Sequence, residues 1–171
     1  MEPKTHHHRD DLIGEHKLGD AGQLILAILF ALVWVIDSFF LAYTTILNDY
    51  IPLGIRVPIG IGLLIISGYL ANRGLTTVFG EEREDATVIS EGVFGIVRHP
   101  VYLSEILLYL GFLFLSISFA AAVVWVIAVV FLHFIARYEE KLLLDHFGDE
   151  YRNYMKTVPM WIPRPGRPNG E

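Results

Sequence analysis

Long apolar blocks alternate with polar segments along the chain, and these blocks predict membrane-spanning helices. Residues 21–47 and 53–72 each reach the length of about 20 apolar residues that a helix needs to cross a bilayer. Residues 101–138 are long enough for two further spans joined by a tight turn near Ser116 and Ser118. We therefore expect an all-α integral membrane protein with about four transmembrane helices, the last two forming a C-terminal helical hairpin.

The polar segments divide the rest of the chain. Residues 1–20 are expected to form a polar N-terminal tail and residues 21–72 the first two transmembrane helices. Residues 73–164 would hold a loop, the hairpin and an amphipathic helix, followed by a second tail at residues 165–171.

The amphipathic helix is predicted for residues 139–158. Apolar and aromatic residues recur there at helical spacing, namely Leu143, Phe147, Tyr151, Tyr154 and Val158. Gly148 is a possible break in this helix, because glycine disfavours a helix interior. We expect the helix to lie on the cytoplasmic membrane surface or to fold back over the bundle.

The basic residues predict the orientation of the spans. With four spans, all 13 Lys and Arg residues except Arg56 fall on the side that holds both termini and the 73–100 loop. Basic residues concentrate on the cytoplasmic side of membrane proteins, so we expect both termini to be cytoplasmic. The connections on the other side are short, which argues against a receptor for external ligands.

Composition excludes several kinds of chemistry. The chain has no cysteine, which rules out disulfides, thiolate zinc sites, iron–sulfur clusters and cysteine nucleophiles. Its net charge of −6 gives no basic field for a nucleic acid, and we expect neither a nucleic-acid partner nor a metal. The acidic run of Glu81, Glu82, Glu84 and Asp85 is interpreted as a solvated loop.

A sequence around Pro100 predicts a helix start that can bind an anion. Proline suits the first position of a helix, so His99 would occupy the capping position before the third span. The free N–H groups of the first turn attract anions, including carboxylates.

Polar residues inside the hairpin are the candidates for chemistry, because ionisable groups are costly in a membrane. The third span carries three polar residues at helical spacing, Tyr102, Glu105 and Tyr109. The fourth span carries three more, His133, Arg137 and Glu140. Because the spans are antiparallel, Glu105 and His133 are expected at similar depth. They would either line a pocket open to the cytoplasm or pin the hairpin as a structural pair.

One further charge lies in the outer half of the first span. Asp37 either approaches the far membrane interface or forms a structural ion pair with Arg56, and we expect the pair, since each would otherwise be an isolated charge near lipid.

Several short motifs together resemble a known family. An Arg98-His99-Pro100-x-Tyr102 motif is followed by a hydrophobic hairpin, then by the Glu139-Glu140 pair and a Phe-Gly-x-x-Tyr motif ending at Tyr151. This order, over residues 86–164, resembles the isoprenylcysteine carboxyl methyltransferase and phospholipid methyltransferase family of integral membrane methyltransferases.

Two positions depart from the usual form of these motifs. Ser104 replaces a frequent glycine, and its side chain either narrows the approach to a cofactor or faces another helix. Val93 and Phe94 replace a Pro-Tyr pair, which keeps an aromatic ring but loses a hydroxyl.

The resemblance implies S-adenosylmethionine as the methyl donor. It also implies which residues bind this donor. They are Arg98, His99, Pro100, Tyr102, Glu139 and Glu140, the first three of them in the 73–100 loop. The helix start with Arg98 or His99 would bind the donor's carboxylate. Glu139 or Glu140 would bind its ammonium or ribose, and helical geometry favours Glu140 as the inward member of the pair.

The methyl acceptor is expected to be amphiphilic and to enter from the lipid. A prenylcysteine carboxylate, a lipid amine and a small thiol remain open. Candidate catalytic residues are Arg137, which would orient an acceptor carboxylate or phosphate, and His133 or Glu105, which would assist deprotonation of an amine or thiol.

Two other functions compete with methyl transfer. One is a membrane reductase of related fold that uses a nicotinamide cofactor, and the other is a non-enzymatic membrane scaffold. The small size of the chain favours a prokaryotic cytoplasmic membrane.

Overall fold

The computed structural model describes residues 17–79 and 87–163, and within them the chain is built from helices and short turns. Five α-helices occur in this part: α1 (Lys17–Val35), α2 (Leu53–Phe79), α3 (Pro100–Leu115), α4 (Phe119–Phe147) and α5 (Asp149–Thr157). The expected all-α class is confirmed. The acidic run after Gly80 lies outside the described residues, as do residues 1–16 and 164–171 of the expected tails.

Three of the helical segments are long and apolar enough to cross a membrane, judged by length and composition: Gly19–Leu41, Leu53–Phe79 and Phe119–Phe147. The third predicted span is α3, an apolar helix of 16 residues. It is shorter than the about 20 residues of a full span because it starts at Pro100 and ends where the hairpin turn begins. The turn lies at Ser116–Ser118, as predicted.

Small residues let α2 and α3 pack closely. A Cβ atom added to Gly60 would lie 2.9 Å from the Gly111 carbonyl oxygen, so the two backbones are nearly in contact. Ser67 Oγ also donates to the Ser104 carbonyl at 2.7 Å. Ser104 is buried in this interface, so its side chain faces a neighbouring helix, one of the two alternatives considered for it.

On the other side of the bundle, α1 packs against α4. A Cβ atom on Gly22 would lie 2.2 Å from Phe131 Cζ, so the first turn of α1 is pressed against the middle of α4. A buried cluster that includes Leu26, Phe30 and Ala128 continues this contact. The helix begins earlier than the predicted start at residue 21.

The expected ion pair between Asp37 and Arg56 is wrong. α1 passes into a π-helical segment, Ile36–Leu41, that buries Asp37. Its carboxylate accepts hydrogen bonds from Ser118 Oγ at 2.6 Å, from the Thr44 amide at 3.1 Å and from the Thr44 hydroxyl. Three neutral donors thus satisfy the carboxylate without a cation.

Arg56 is satisfied by neutral acceptors of its own. Its Nε donates to the Ile51 carbonyl at 2.9 Å, and one terminal nitrogen donates to the Asn48 side chain at 2.5 Å and the Leu115 carbonyl at 3.0 Å. Arg56 therefore joins the end of α3 to the connection between α1 and α2.

The end of α4 differs from the predicted boundary. α4 continues past residue 138 to Phe147, and Gly148 breaks it with a φ of 56°, a backbone conformation that favours glycine. The predicted break at Gly148 is confirmed, whereas the first half of the expected amphipathic helix is the end of α4. Tyr151 and Tyr154 of α5 turn inward and pack with Val158.

Candidate functional site

A cavity of ≈ 550 Å³ opens where α3 begins. Its walls come from the first turn of α1, the end of α2, the segment before α3, the start of α3, the last turns of α4, and α5. This volume lies within the range of about 300–1,000 Å³ that is typical of small-molecule sites. The sequence motifs on either side of the hairpin therefore meet at one cavity.

The start of α3 has the predicted geometry. His99 is the residue before the helix and Pro100 is its first residue. The Arg98 amide donates to the Pro159 carbonyl at 3.0 Å, which anchors this segment to the chain after α5. Val101 and Tyr102 line the cavity, so the first turn of α3 forms part of its wall.

Arg98, which lines the cavity, forms a buried ion pair with Glu140. Arg98 Nε lies 2.7 Å from Glu140 Oε1, and both side chains are less than a tenth exposed. The same guanidinium donates to the carbonyls of Met155 at 3.1 Å and Val158 at 2.6 Å. These contacts favour a positioning role for Arg98, because its side chain joins α4 to the end of α5 and the residue that follows it.

His99 connects this ion pair to the open part of the cavity. Its Nε2 lies 3.4 Å from Glu140 Oε1 and its Nδ1 lies 3.8 Å from Glu139 Oε2. The ring stacks on Tyr102 with a centroid distance of 5.7 Å and an interplanar angle of 3°. The Tyr102 hydroxyl donates to Glu139. Five of the six predicted cofactor residues, all except Pro100, thus form one connected group of hydrogen bonds, ion pairs and stacked rings.

The two glutamates of the pair have different positions, as helical geometry predicted. Glu140 is the inward member and is only 2% exposed. Glu139 lines the cavity with Arg98, His99, Pro100 and Tyr102. Glu139 is therefore the carboxylate that a ligand would meet, whereas Glu140 orients Arg98 and His99 from behind.

Aromatic residues form another part of the cavity wall. Phe94, Tyr151 and Tyr154 line the cavity, and the Tyr154 hydroxyl donates to the Phe94 carbonyl at 2.7 Å. Burial raises the pKa of Tyr151 and of Tyr154, so both phenols stay protonated at physiological pH. This wall offers flat apolar surface of the kind that binds an adenine ring.

Two residues of this cavity were not expected from the sequence. Asp20 and Gln23 line it from the first two turns of α1. They are three positions apart and so share a helix face. Asp20 was assigned to the polar tail, although a polar pair at this spacing at the start of an apolar helix could have drawn attention to it.

The three predicted catalytic residues are not among the described residues that line this cavity. Glu105 accepts a hydrogen bond from Tyr109 on its own helix. His133 Nδ1 accepts from Trp161 Nε1 at 3.2 Å, and Arg137 is exposed on α4. The expected pocket formed jointly by Glu105 and His133 is wrong, because each side chain is engaged by a different aromatic partner.

His133 instead borders a second, almost wholly apolar cavity of ≈ 520 Å³ between α3 and α4. Leu103, Ile106 and Phe134 contribute to its walls, and Trp161 closes one side. The Trp161 ring lies 5.8 Å from His99 and 6.3 Å from His133, measured between centroids. Trp161 therefore stands between the two cavities.

Comparison with known proteins gives a family match over the middle of the chain. Residues 53–150 match the family model described as phospholipid methyltransferase. This segment holds α2, α3, α4 and the motif residues Arg98, His99, Pro100, Tyr102, Glu139 and Glu140, whereas Tyr151 lies just beyond it.

Curated relatives carry related names. The chain is 28% identical over 113 residues to a protein-S-isoprenylcysteine O-methyltransferase of Schizosaccharomyces pombe, covering 60% of this chain and 48% of the relative. It is 32% identical over 97 residues to protein-S-isoprenylcysteine O-methyltransferase B of Arabidopsis thaliana, covering 54% of this chain and 48% of the relative. A cobalt-zinc-cadmium resistance protein, CzcN, of Cupriavidus metallidurans is 26% identical over 112 residues, which are 65% of this chain and 51% of that protein. The chain thus spans about half the length of these relatives.

A solved structure shares the fold. The eukaryotic intramembrane Ras methyltransferase ICMT (isoprenylcysteine carboxyl methyltransferase) aligns with a TM-score of 0.61 and 21% identity. The alignment covers 87% of this chain and 53% of that structure.

Proposed function

The chain belongs to the phospholipid methyltransferase family, and from this membership we propose that it is a membrane-embedded methyltransferase that uses S-adenosylmethionine. The all-α fold with its apolar helices makes it an integral membrane protein. The proposed acceptor is an amphiphilic molecule that reaches the site from the lipid. The names of the curated relatives favour a prenylcysteine, while a lipid amine and a small thiol remain compatible with the cavity.

The observation that carries this proposal is the group formed by His99, Tyr102 and Glu139 at the wall of the ≈ 550 Å³ cavity. Residues on the two sides of the hairpin meet there around a helix start. The donor set fits S-adenosylmethionine: a carboxylate for an ammonium or ribose hydroxyls, helix N–H groups for a carboxylate, and aromatic rings for adenine.

When bound, S-adenosylmethionine would supply a methyl group already activated on a positively charged sulfur. The residues of this chain therefore mainly bind, orient and exclude water. Phe94 and Tyr154 would flank the adenine, and Glu139 would bind the ribose or the ammonium. The Arg98–Glu140 pair would hold His99 in place.

The predicted catalytic residues stay part of the proposal. Arg137 would orient an acceptor carboxylate or phosphate at the membrane surface, where its side chain is exposed. His133 borders the apolar cavity beside Trp161, a suitable path for the acceptor's hydrocarbon chain. His133 or Glu105 would take a proton from an amine or thiol acceptor.

The distribution of basic residues supports an orientation of the protein in the membrane. We propose that the cavity and both termini face the cytoplasm, because all Lys and Arg residues except Arg56 lie on that side of the predicted spans.

Ligand binding tests the proposal directly. The purified full chain is titrated calorimetrically with S-adenosylhomocysteine, the product of the donor, and separately with NADPH. The variants are His99→Ala and Glu139→Gln, which remove cavity groups. The matched controls are His146→Ala and Glu150→Gln, which alter exposed residues outside the cavity.

We expect S-adenosylhomocysteine to bind the wild type and both controls, and to bind the two cavity variants at least about tenfold more weakly, since each loses a polar contact of about 1.4 kcal/mol. If only NADPH binds, the methyltransferase is excluded and a membrane reductase becomes the better proposal. If folded protein binds neither ligand, a non-enzymatic membrane scaffold becomes the better proposal.

A further inference from the structure

Four aromatic rings form a row from the ≈ 550 Å³ cavity, the proposed donor cavity, to the ≈ 520 Å³ apolar cavity. The ring centroids of Tyr102 and His99 are 5.7 Å apart, and those of His99 and Trp161 are 5.8 Å apart. The row ends at His133, whose ring lies 6.3 Å from Trp161. These distances lie in the range of about 4.5–7 Å that is typical of aromatic pairs. Trp161 therefore links a ring of the donor cavity to a ring of the apolar cavity.

The row of rings is important because the two cavities are otherwise separate. Among the described residues, their linings have no member in common. Methyl transfer requires the donor's methyl group and the acceptor to approach to about 3–3.5 Å. An acceptor whose hydrocarbon chain lies in the apolar cavity must therefore present its head group at the boundary that His99 and Trp161 form.

Arg98 fixes the backbone on both sides of this boundary. Its amide donates to the Pro159 carbonyl at 3.0 Å, and its guanidinium donates to the Val158 carbonyl at 2.6 Å. Arg98 directly precedes His99, and Pro159 lies two residues before Trp161. These hydrogen bonds hold the two backbone segments together, so that the rings of His99 and Trp161 meet.

The side chain of Trp161 is less firmly held than its backbone. The ring is half-buried, and its one polar atom, Nε1, donates to Nδ1 of the exposed His133 at 3.2 Å. Leu103 and Ile106 belong to the apolar walls of the same cavity. A hydrocarbon chain among them would bury apolar surface against the indole and restrict its motion. Occupancy of the apolar cavity would thereby hold Trp161 against His99.

We infer that Trp161 is a positioning residue that couples the two cavities: a hydrocarbon chain in the apolar cavity holds Trp161 against His99, and the donor then binds more tightly. This inference rests on the proposed function. Coupling between two sites is reciprocal, so a bound donor also strengthens binding of the chain. Trp161 acts through His99, and donor and acceptor are consequently bound together rather than independently.

A neutral hydrocarbon probe tests the coupling without assuming a head group for the acceptor. Dodecanol is added to phosphatidylcholine nanodiscs that hold the full chain, and the affinity for S-adenosylhomocysteine is measured calorimetrically with and without it. The variants are Trp161→Ala, which removes the ring, and Trp161→Phe, which keeps a ring. The matched control is Ile162→Ala, at the adjacent exposed residue outside both cavities.

We expect dodecanol to raise the affinity of the wild type for S-adenosylhomocysteine about fivefold, the lower end of typical coupling between sites. Trp161→Ala should abolish this effect, and Ile162→Ala should leave it intact. Trp161→Phe should retain most of it, because a phenyl ring can still pack between the hydrocarbon and His99. A purely structural role of Trp161 would lower the unfolding midpoint without changing the dependence on dodecanol.

Tryptophan fluorescence gives an independent readout of the apolar cavity. Dodecanol should shift the emission of the wild type to shorter wavelength, because the half-buried indole of Trp161 loses contact with water. Trp161→Phe should remove this shift. Trp34 and Trp125 are present in both proteins, so the difference between the two spectra reports on Trp161.

The outcomes separate this inference from the proposed function. Equal affinity of the wild type with and without dodecanol overturns the inference while donor binding stands, since membrane lipid would then fill the apolar cavity. A dodecanol effect that persists in Trp161→Ala also overturns it. Complete loss of the effect in Trp161→Phe contradicts the role of the ring, because that variant keeps a ring and loses the hydrogen bond to His133. Folded wild type that never binds S-adenosylhomocysteine refutes the proposed function and the coupling together.

Discussion

Arg98 Nε lies 2.7 Å from Glu140 Oε1, and this buried pair connects the start of α3 to α4 across the hairpin. The two residues are 42 positions apart in sequence. Because Arg98 also donates to the carbonyls of Met155 and Val158, the pair fixes three segments of the chain around the cavity.

Removing the charge of Glu140 should therefore destabilise the protein. Glu140→Gln leaves the Arg98 guanidinium buried without its counter-charge, which costs about 3 kcal/mol in comparable pairs. We expect a clearly lower midpoint of thermal unfolding in detergent. Asp149→Asn, which breaks the exposed Arg152–Asp149 pair, is the control and should cost less than about 1 kcal/mol. Equal midpoints in the two variants would contradict the role given to the Arg98–Glu140 pair.

The order of the motifs allowed much of the site to be predicted. Pro100 marks a helix start through its own backbone restriction, and Gly148 marks a helix break in the same way. Helical periodicity distinguished Glu140 from Glu139 as the inward residue. These predictions rest on local geometry, which sequence spacing describes well.

Contacts between separate helices were harder to predict. Asp37 and Arg56 were paired because opposite charges in an apolar setting attract, but hydroxyls, amides and carbonyls satisfied each of them separately. Glu105 and His133 were paired by depth alone, whereas Glu105 accepts a hydrogen bond from Tyr109 on its own helix and His133 accepts one from Trp161. Which partner a side chain meets depends on packing, which a single sequence does not show.

Loss of the Tyr102 hydroxyl should weaken donor binding without disturbing the fold. Tyr102→Phe keeps the ring that stacks on His99 but removes the hydrogen bond to Glu139. We expect the affinity for S-adenosylhomocysteine to fall about tenfold, or about 1.4 kcal/mol, with an unchanged unfolding midpoint. Tyr50→Phe, at an exposed tyrosine, serves as the control. Wild-type affinity in Tyr102→Phe would show that Glu139 does not need this hydroxyl.

Two glycines of α2 should respond differently to the same substitution. A Cβ atom on Gly60 would lie 2.8 Å from a Leu115 methyl and 2.9 Å from the Gly111 carbonyl oxygen. Gly62 has nothing within 4 Å of that position. We expect Gly60→Ala to cost about 1–3 kcal/mol by forcing α2 and α3 apart. Gly62→Ala should be neutral or slightly stabilising. The midpoints of thermal unfolding of the two variants are compared with that of the wild type. Equal changes in both variants would contradict close backbone contact at Gly60.

The cluster around Asp37 should affect stability but not the cavity. Asp37→Asn would place an amide N–H₂ group among donors that now point at a carboxylate, namely the Ser118 and Thr44 hydroxyls. An unsatisfied buried donor costs about 1–3 kcal/mol, so the unfolding midpoint should fall. Ser118 precedes α4, and Glu139 lies about 30 Å further along that helix at 1.5 Å per residue. Affinity for S-adenosylhomocysteine should therefore equal that of the exposed control Asp49→Asn. A large loss of affinity in Asp37→Asn at a temperature where the variant is folded would show that the two ends of the bundle are coupled.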